Sequence, residues 1–473
     1  MSDNPKPQRK TIRLKTKEAE PGAPGQGKKR PPVRWSPLQR DRARASEGKQ
    51  AKPAAEPAKK RPATAKPGRG AEQRNADHKN EGRTRRRTIA NKPQTARLQH
   101  FFAACPRGLE AETAKELAEL GAEEIREASG GVEFSGELPI AWKVNLWSRL
   151  AIRVLQRIDT GSYRDEDDLY RATLKLPWSD WFGVDRSIAV RTVAHASPLK
   201  SLNFATLKIK DAVCDRFRQD LELRPDVDAR SPQVPILLYL DRDNYSLYLD
   251  LSGEPLNRRG YRIEPAPAPL NENLAAGLLR LAGWTPDRPL LDPMMGGGTI
   301  LLEAAMMALN MAPGLKRHFA FENLISFDKV EWARLRKDAQ AAQQEKRELP
   351  IYGCDIDPKM VRAAGINLKA AGLLDCVILR EGDVLEIPAP ADSGLIVSNP
   401  PYGIRLDSDA AFYSSLGDAM KQHFPGWTAY FISADPEFPK NMGLKADRRI
   451  PLYNGPLECR LYEYRMVSGS MRQ

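Results

Sequence analysis

The sequence predicts an α/β protein with a doubly wound, Rossmann-like sheet in its carboxyl-terminal half, an α+β region before it, and a basic amino-terminal tail. From residue 288 onward, four short apolar segments alternate with helical patterns, and each segment ends at a glycine-rich or polar element. Between residues 98 and 263, strand and helix patterns occur without that regular alternation. Residues 1–97 contain 28 of the 74 Lys and Arg residues but only 9 of the 61 Asp and Glu residues.

The basic tail, residues 1–97, carries a net charge of +19, whereas the remaining 376 residues carry −6. Because the tail has almost no aliphatic clusters, it cannot bury enough apolar surface to offset the entropy lost on ordering. We therefore expect it to be disordered. Its blocks of cations, at residues 28–30 and 83–87, favour a sequence-independent, salt-sensitive tether to RNA. A tail that only improves solubility is the alternative.

The cysteines and histidines do not form a recognisable metal-binding pattern. The five cysteines are scattered without a C-x-x-C pair, and the five histidines are dispersed along the chain. This spacing argues against a metal site and suits a reducing compartment. No apolar run approaches 18 residues, and the amino terminus lacks the apolar core of a signal peptide. We therefore expect a soluble, cytoplasmic protein.

The α+β region divides into two small units, residues 98–160 and residues 161–263. Alternating and helical patterns predict strands at 101–104, 131–134, 151–158, 187–193, 235–240 and 245–251, and helices at 107–120, 140–150, 169–181 and 204–223. The last two strands form a hairpin. The helix before them carries Lys208 and Lys210 among its polar residues, which either contact RNA or are simply solvated.

A proline-rich connector, residues 264–270, precedes the carboxyl-terminal domain, residues 264–473, and we place the domain boundary in it. The patterns in this domain predict helices at 271–284, 300–309 and 358–371, and strands beginning at residues 288, 351, 377 and 395. A closing hairpin is predicted at 452–464, because Asn454-Gly455 is a strong hairpin signal.

Three glycines follow the first strand of this domain, in Asp292-Pro293-Met-Met-Gly296-Gly-Gly298-Thr299. Such a loop between a strand and a helix lets a ligand approach bare backbone. The G-x-G-x-x-G fingerprint of dinucleotide sites and the GxxxxGK[ST] phosphate loop are both absent. Asp292 disfavours a polyanion and favours a cationic or zwitterionic ligand, and S-adenosylmethionine meets that requirement. A left-handed turn without a ligand is the alternative.

The next two strand ends each supply an acidic residue followed by an apolar one. Asp355-Ile356 ends the second strand, where a carboxylate can hold the two hydroxyls of a ribose. Asp383-Val384 follows the third strand, where the carboxylate can accept a hydrogen bond from the adenine amino group; a loop or capping role is the alternative. Asp357 is better suited to capping the helix that follows.

The fourth strand runs into Asn399-Pro400-Pro401-Tyr402. Two consecutive prolines cannot continue a strand ladder, so the chain makes a stiff turn. The Asn399 amide oxygen and the Pro400 carbonyl can accept both N–H bonds of a nucleobase amine, while Tyr402 stacks on the base. Asn399 also borders the predicted cofactor site. The alternative is a proline-stiffened loop with a packed tyrosine.

Residues 201–215 and 249–262 resemble the THUMP module with its ferredoxin-like companion, an RNA-binding attachment of tRNA and rRNA modification enzymes. The resemblance implies RNA contacts in these two stretches, for which the candidate residues are Lys208, Lys210, Arg258 and Arg259.

Residues 292–305 and 398–403 resemble class I S-adenosylmethionine-dependent methyltransferases that act on amino groups. With the THUMP-like region in front, residues 101–466 are similar to the 23S ribosomal RNA guanine-N2 methyltransferases of the RlmL type. The resemblance implies S-adenosylmethionine as cofactor and 23S ribosomal RNA or a large-subunit precursor as partner. The chain departs from many members at Met294-Met295, and some members carry a second methyltransferase domain whose activity we expect to be missing here.

The predicted reaction is direct transfer of the sulfonium methyl group to guanine N2, with Asn399, Pro400 and Tyr402 positioning the base and no metal involved. Methylation of guanine N2 in tRNA and methylation of adenine N6 are alternatives within the same chemistry. A non-catalytic RNA-binding factor for ribosome assembly is the alternative from another class. A dinucleotide oxidoreductase is disfavoured by the missing G-x-G-x-x-G.

Overall fold

The structure is a computed structural model that describes residues 98–264, 270–401 and 406–467. The amino-terminal tail, the prolines of the connector at 265–269 and the candidate catalytic residue Tyr402 lie outside the described residues. The predictions of a disordered tail, a stiff connector and a stacking tyrosine are therefore not tested here.

The first of two seven-stranded sheets is built from residues 99–250, with four helices. Its strands are β1 (Gln99–Ala104), β2 (Glu123–Ala128), β3 (Gly131–Gly136), β4 (Arg153–Ser162), β5 (Ile188–His195), β6 (Val234–Asp241) and β7 (Asn244–Asp250). Its helices are α1 (Glu110–Glu119), α2 (Leu138–Trp147), α3 (Glu166–Leu174) and α4 (Leu202–Leu221). The strand order is β2-β3-β1-β4-β7-β6-β5.

The strand β4 joins the two predicted units of this region into one continuous sheet. It pairs antiparallel with β1 through residues 153–156 and with β7 through residues 155–162. The boundary predicted between residues 160 and 161 falls inside this strand. The sequence does not reveal the extension, because the polar run Asp159-Thr-Gly-Ser162 lacks apolar alternation. A register shift between Arg157 and Asp159 interrupts the pairing of β4 with β7.

Two elements of the first sheet differ from the sequence predictions. The helix predicted over 169–181 is α3, which starts at the cap Asp165, ends at Leu174 and is followed by a separate 3-10 turn at Trp178–Asp180. Pro177 separates the two because it has no N–H to continue the helix. The strand β2 was not predicted, since its mostly exposed sequence EEIREA has almost no apolar alternation.

The second sheet confirms the prediction of a doubly wound α/β domain. Its strands are β8 (Leu290–Asp292), β9 (Ile351–Asp355), β10 (Ile378–Glu381), β11 (Leu395–Ser398), β12 (Thr428–Ser433), β13 (Arg448–Asn454) and β14 (Leu457–Arg465). Its helices are α5 (Glu272–Leu281), α6 (Thr299–Ala308), α7 (Lys329–Ala341), α8 (Pro358–Ala371), α9 (Leu406–His423) and α10 (Phe438–Asn441). The strand order is β10-β9-β8-β11-β12-β14-β13.

The order of the strands creates a crevice between β8 and β11. From β8 the chain builds outward through β9 to β10, and it then crosses back to place β11 on the other side of β8. These strands are parallel, so their carboxyl ends lie at one edge of the sheet. Ligands of doubly wound sheets bind at such a reversal point. The closing hairpin is also confirmed, with Gly455 and Pro456 as its two loop residues between the paired Asn454 and Leu457.

The two sheets pack against each other through small residues and a buried cation. Gly108, between β1 and α1, lies against the Pro451 carbonyl of β13, where a Cβ would collide. Arg149 is buried and donates from Nη2 to the carbonyls of Met306 (3.2 Å) and Met311 (2.7 Å), at the end of α6. The two parts therefore share a packed interface. None of the described helices has the length and apolar character needed to cross a bilayer.

Candidate active site

A cavity of about 480 Å³ opens at the carboxyl edge of the second sheet, at the reversal point between β8 and β11. Ten of the predicted site residues line it, and they come from four strand ends: Asp292, Pro293, Gly296, Thr299, Asp355, Ile356, Asp383, Val384, Asn399 and Pro400. The sheet thus brings together residues that are more than one hundred positions apart in the sequence. Of the other two residues predicted for cofactor binding or catalysis, Gly298 does not line the cavity, and Tyr402 lies outside the described residues.

Asp292 is the most buried acid of the site, with 2% of its surface exposed. Its Oδ1 accepts a hydrogen bond from the Ser398 hydroxyl at 2.6 Å and one from the Met294 N–H at 3.3 Å. Burial raises the pKa of the Asp292 carboxyl to about 7, although these two hydrogen bonds oppose the shift. Because Ser398 precedes Asn399, the hydrogen bond from its hydroxyl also ties the end of β11 to the end of β8.

The glycine loop is shaped by two left-handed residues with different roles. Gly296 has φ +51°, and its N–H donates to Oδ2 of Asp355 at 2.9 Å. Gly298 has φ +78° and precedes the first residue of α6; a Cβ there would lie 3.0 Å from the Cβ of Ala364 in α8. Gly298 therefore allows α6 and α8 to pack closely, which explains its place outside the cavity lining.

The two remaining carboxylates are held by backbone N–H groups. Asp355 accepts from Asp357 N at 3.0 Å through Oδ1, in addition to the Gly296 N–H at Oδ2. Asp383 accepts from Leu385 N at 2.9 Å. Asp357 caps α8 by accepting from Lys359 N at 2.8 Å, as predicted. A carboxylate oxygen has two lone pairs, so the two cavity carboxylates keep acceptor capacity for a ligand.

The turn after β11 places an amide and a proline at the cavity wall. Asn399 is half-buried and Pro400 is buried, and both line the cavity together with the exposed Pro401. The Pro401 carbonyl accepts a hydrogen bond from the Tyr413 hydroxyl of α9 at 3.2 Å. The half-buried Phe412, next to it on α9, contributes an aromatic side chain to the same wall. The site therefore combines carboxylates, an amide, a stiffened turn and an aromatic ring.

Three domain families match successive parts of the chain. A ferredoxin-like domain of the RlmL type matches residues 100–155, a THUMP domain matches residues 163–250, and an RMKL-like methyltransferase domain matches residues 259–463. A putative RNA methyltransferase of Synechocystis sp. is 37% identical over 376 residues, which cover 79% of this chain and 98% of that protein. The chain belongs to the family of THUMP-containing, RMKL-like methyltransferases.

Further relatives support this assignment. The ribosomal RNA large subunit methyltransferase K/L of Aeromonas hydrophila is 38% identical over 397 residues, covering 79% of this chain and 55% of that protein. The chain thus spans about half the length of the K/L relatives it matches. The crystal structure of a putative methyltransferase complexed with S-adenosylhomocysteine is 29% identical, with a TM-score of 0.73, and covers 80% of this chain and 100% of that one. The resemblance stated from the sequence is confirmed at the level of the family.

This RMKL-like methyltransferase has a cation in its cavity that sequence reasoning missed. Arg262 is the sole Lys or Arg among the described lining residues. Its Nη2 donates to the Leu270 carbonyl (2.8 Å) and the Thr299 hydroxyl (3.3 Å) and lies 3.2 Å from Oε1 of Glu272. The segment after β7 thus supplies part of the cavity wall. No local pattern singles out Arg262, since it was seen only as part of the THUMP-like stretch.

Asn367 also lines the cavity and was not predicted from the sequence, and its side chain connects three parts of the cavity wall by hydrogen bonds. It is buried on α8, and its Oδ1 accepts from the N–H groups of Ile263 (2.9 Å) and Glu264 (3.0 Å). Its Nδ2 donates to the carbonyls of Gly297 (3.1 Å) and Glu264 (3.3 Å). One amide therefore fixes the segment after β7 to the glycine loop.

The four candidate RNA-contact residues lie in α4 and in the segment after β7, and they differ in exposure. Lys208 lies 2.7 Å from Asp167 and over the ring of Phe204, and Lys210 lies 2.6 Å from Asp211. Arg258 is exposed and pairs with Glu254 at 2.8 Å.

Arg259 does not fit the predicted RNA contact. Its side chain is only 2% exposed; it donates to the carbonyls of Leu256 (2.5 Å) and Arg149 (2.6 Å) and lies 3.4 Å from Glu303. A guanidinium enclosed in this way holds the segment after β7 against the second sheet and is not available to RNA. Within the described ranges, His, Cys, Asp and Glu side chains do not form a group that could hold a metal ion.

Proposed function

We propose that this methyltransferase transfers the methyl group of S-adenosylmethionine to the exocyclic N2 amine of a guanine in 23S ribosomal RNA. The observation that supports it best is the position of Asn399 and Pro400 on the same cavity as Asp292, Asp355 and Asp383. The methyl donor and the amine that receives the methyl group must meet in one cavity. Here the three acids are available to bind the donor, and Asn399 and Pro400 are available to bind the amine.

The donor set of the cavity suits the charges of S-adenosylmethionine. That cofactor carries a sulfonium, an ammonium and a carboxylate, and the lining offers four carboxylates, from Glu264, Asp292, Asp355 and Asp383, against the single described cation Arg262. In this proposal Arg262 pairs with the carboxylate of the methionine moiety. Asp355 accepts from the ribose hydroxyls, and Asp383 accepts from the adenine amino group. The apolar Ile356 and Val384 flank these two acids on the cavity wall.

Asn399 and Pro400 bind the amine that receives the methyl group. The lone pair of guanine N2 is delocalised into the ring, so the amine is a weak nucleophile. Acceptance of its two N–H bonds by the Asn399 amide oxygen and the Pro400 carbonyl orients the nitrogen and favours a tetrahedral geometry. Attack on the methyl carbon would form a carbon–nitrogen bond as the carbon–sulfur bond breaks, with the electron pair of the broken bond left on sulfur, and the nitrogen would then release one proton to solvent. Positioning of this kind is worth several kcal/mol.

Ser398 links this turn to the cofactor side of the cavity. Its hydroxyl is completely buried and donates to Asp292 at 2.6 Å, so the last residue before Asn399 is fixed to the end of β8. The prolines that follow restrict the backbone further. The amide of Asn399 is therefore positioned by groups that do not themselves contact the base, as an efficient transfer requires.

The deciding experiment incubates the protein with labelled S-adenosylmethionine and transcripts of 23S rRNA and tRNA, followed by nucleoside identification. We expect N2-methylguanosine from the 23S transcript. N6-methyladenosine, or modification of tRNA alone, would refute the proposed specificity. If calorimetry detects no binding of S-adenosylmethionine, the non-catalytic assembly factor becomes the better account.

The variant Asn399→Ala tests the mechanism, with Asn244→Ala, at the exposed first residue of β7, as the matched control. We expect Asn399→Ala to lower kcat at least a hundredfold while leaving cofactor affinity nearly unchanged, because its amide contacts the base rather than the cofactor body. Full activity in Asn399→Ala means that the mechanism is wrong. Asn244→Ala should behave as the wild type.

A further inference from the structure

A second cavity, of about 300 Å³, lies where the first sheet meets the hairpin of the second sheet. Its lining comes from five stretches of the chain and consists of Cys105, Pro106, Arg107, Ile152, Asn257, Asn271, Asn273, Tyr453 and Gly455. None of these residues has a role in the methyl transfer described above. The lining is unusual in combining one guanidinium, one phenol ring and three carboxamides.

Arg107 is the one guanidinium among the described lining residues of this cavity, and its positive charge suits an anionic ligand. It is exposed, and its guanidinium carbon lies 5.6 Å from the centre of the Tyr453 ring. Within the described part of the chain it forms no ion pair, unlike Lys208, Lys210 and Arg258. The loop that carries it is rigid, because the Glu110 carboxylate accepts from the N–H groups of Gly108 (2.6 Å) and Gly130 (3.1 Å).

The carboxamides give the cavity both donors and acceptors. Asn271 donates from Nδ2 to Asn454 at 3.0 Å, which joins the start of α5 to the end of β13. Asn273 is buried and donates to the Leu150 carbonyl at 3.3 Å. The half-buried Asn257 faces the same space from the segment after β7. Burial raises the pKa of the Cys105 thiol to about 12, so this wall carries no thiolate that would repel an anion.

The second cavity opens at the same edge of the sheet as the active site. β13 runs parallel to β12, because both are antiparallel to β14, and β12 is parallel to β11. The end of β13 therefore lies on the side of Asn399, three strand positions away in the order β11-β12-β14-β13. Three spacings correspond to roughly 14 Å. The two cavities also approach each other along the chain, since Leu270 lines the first and Asn271 lines the second.

We propose that this second cavity binds a nucleotide of the RNA substrate that lies a few positions from the target base. Arg107 pairs with its phosphate or stacks on the base in line with Tyr453, and the carboxamides of Asn257 and Asn271 bond the base edge. This inference rests on the proposed RNA substrate. It assigns the ferredoxin-like region a direct part in substrate binding, because Arg107 lies between β1 and α1.

The test measures binding of in-vitro transcribed 23S rRNA fragments, without cofactor, to the full-length protein over a salt series. We expect Arg107→Ala to weaken binding roughly tenfold and to lower the salt slope by about one. Arg107→Lys should keep the slope but lose part of the affinity, since an ammonium does not stack as a plane. Arg126→Ala, which removes an exposed cation from β2 of the same region, is the matched control and should bind as the wild type.

A crosslinking experiment locates the contact independently. Transcripts that contain thio-substituted nucleotides are irradiated on the protein, and the crosslinked peptides are identified by mass spectrometry. We expect crosslinks in the peptides that contain Arg107 and Tyr453. Unchanged affinity and slope in Arg107→Ala, or an equal loss in Arg126→Ala, overturns the proposal. Since this readout needs no methyl transfer, a wrong nucleoside product would refute the proposed function and leave this inference standing.

Discussion

The two sheets of this methyltransferase position their functional candidates in different ways. In the second sheet, four strand ends bring ten predicted residues to one cavity. In the first sheet and the segment after it, three candidate RNA contacts pair with nearby acids, two of them half-buried and one exposed, and the fourth is enclosed. Parallel strands force their carboxyl ends together, so a local motif there has a predictable location. A basic helix face carries no such constraint, and its cations pair with the nearest acids.

The largest expected effect comes from the cavity of the second sheet, where protonation of Asp292 changes the free energy of unfolding. Burial raises the pKa of this carboxyl from its ordinary 3.8 to about 7. Between those values the folded protein holds a proton that the unfolded chain has released, so the free energy of unfolding falls as the pH rises from about 4 to 7. The expected loss is on the order of 4 kcal/mol.

The Asp292→Asn variant isolates this effect, because asparagine does not titrate. Denaturant titrations at several pH values should show the wild type losing stability relative to Asp292→Asn as the pH rises through this window. Parallel profiles for the two proteins would show that burial does not raise the pKa of Asp292, which would contradict this expectation.

The next effect concerns Arg262, the cation among the described lining residues of the cavity. Removal of a charged hydrogen-bond partner costs about 1.5–3 kcal/mol, so Arg262→Ala should weaken binding of S-adenosylmethionine by roughly ten- to a hundredfold in calorimetry. Arg258→Ala, an exposed cation nearby, is the control and should not change it. If both variants bind the cofactor like the wild type, the methionine carboxylate has another partner.

A smaller effect is expected at Gly298, where both the backbone and the packing restrict the residue. Gly298→Ala combines a left-handed φ with a 3.0 Å contact to Ala364, whereas Gly455→Ala has a similar φ and nothing within 4 Å. We expect Gly298→Ala to lose about 2 kcal/mol of unfolding free energy and Gly455→Ala about 1 kcal/mol. Equal losses would mean that α6 and α8 adjust to the added methyl group.

The smallest effect belongs to the first sheet. Exposed and half-exposed ion pairs contribute about 0–1 kcal/mol. We therefore expect Lys208→Ala to change the free energy of unfolding by less than about 1 kcal/mol and the affinity for 23S rRNA fragments by less than about fivefold. The comparison variant is Arg107→Ala, with its larger expected loss. An effect of Lys208→Ala that exceeds that of Arg107→Ala would contradict the expectation that a cation paired with an acid contributes less to RNA binding than a cation without such a pair.

The elements that the sequence predicted well are those with strong local signals. The helix that begins at Pro358 after the cap Asp357 was predicted with its observed bounds, because an acid followed by proline fixes a helix start. The glycine loop and the Asn399 turn follow buried strands, and the parallel topology then determines where they lie. Pattern and topology together therefore located most of the cavity.

The features that could not be predicted depend on distant contacts. Asn367 bonds residues 263 and 264, more than one hundred positions away, and a single asparagine in a helical pattern carries no sign of this. Arg259 reads as an RNA-facing cation, yet it is enclosed by carbonyls and Glu303. The polar strand β2 forms because β3 pairs with it, not because of its own sequence.

The central claim is that one cavity holds the methyl donor and the amine that receives it. A crystal structure of the protein with S-adenosylhomocysteine tests this claim most directly. We predict that the ribose lies at Asp355, the carboxylate lies at Arg262, and the sulfur points toward Asn399. A cofactor bound elsewhere, or with its sulfur directed away from Asn399, would contradict the account.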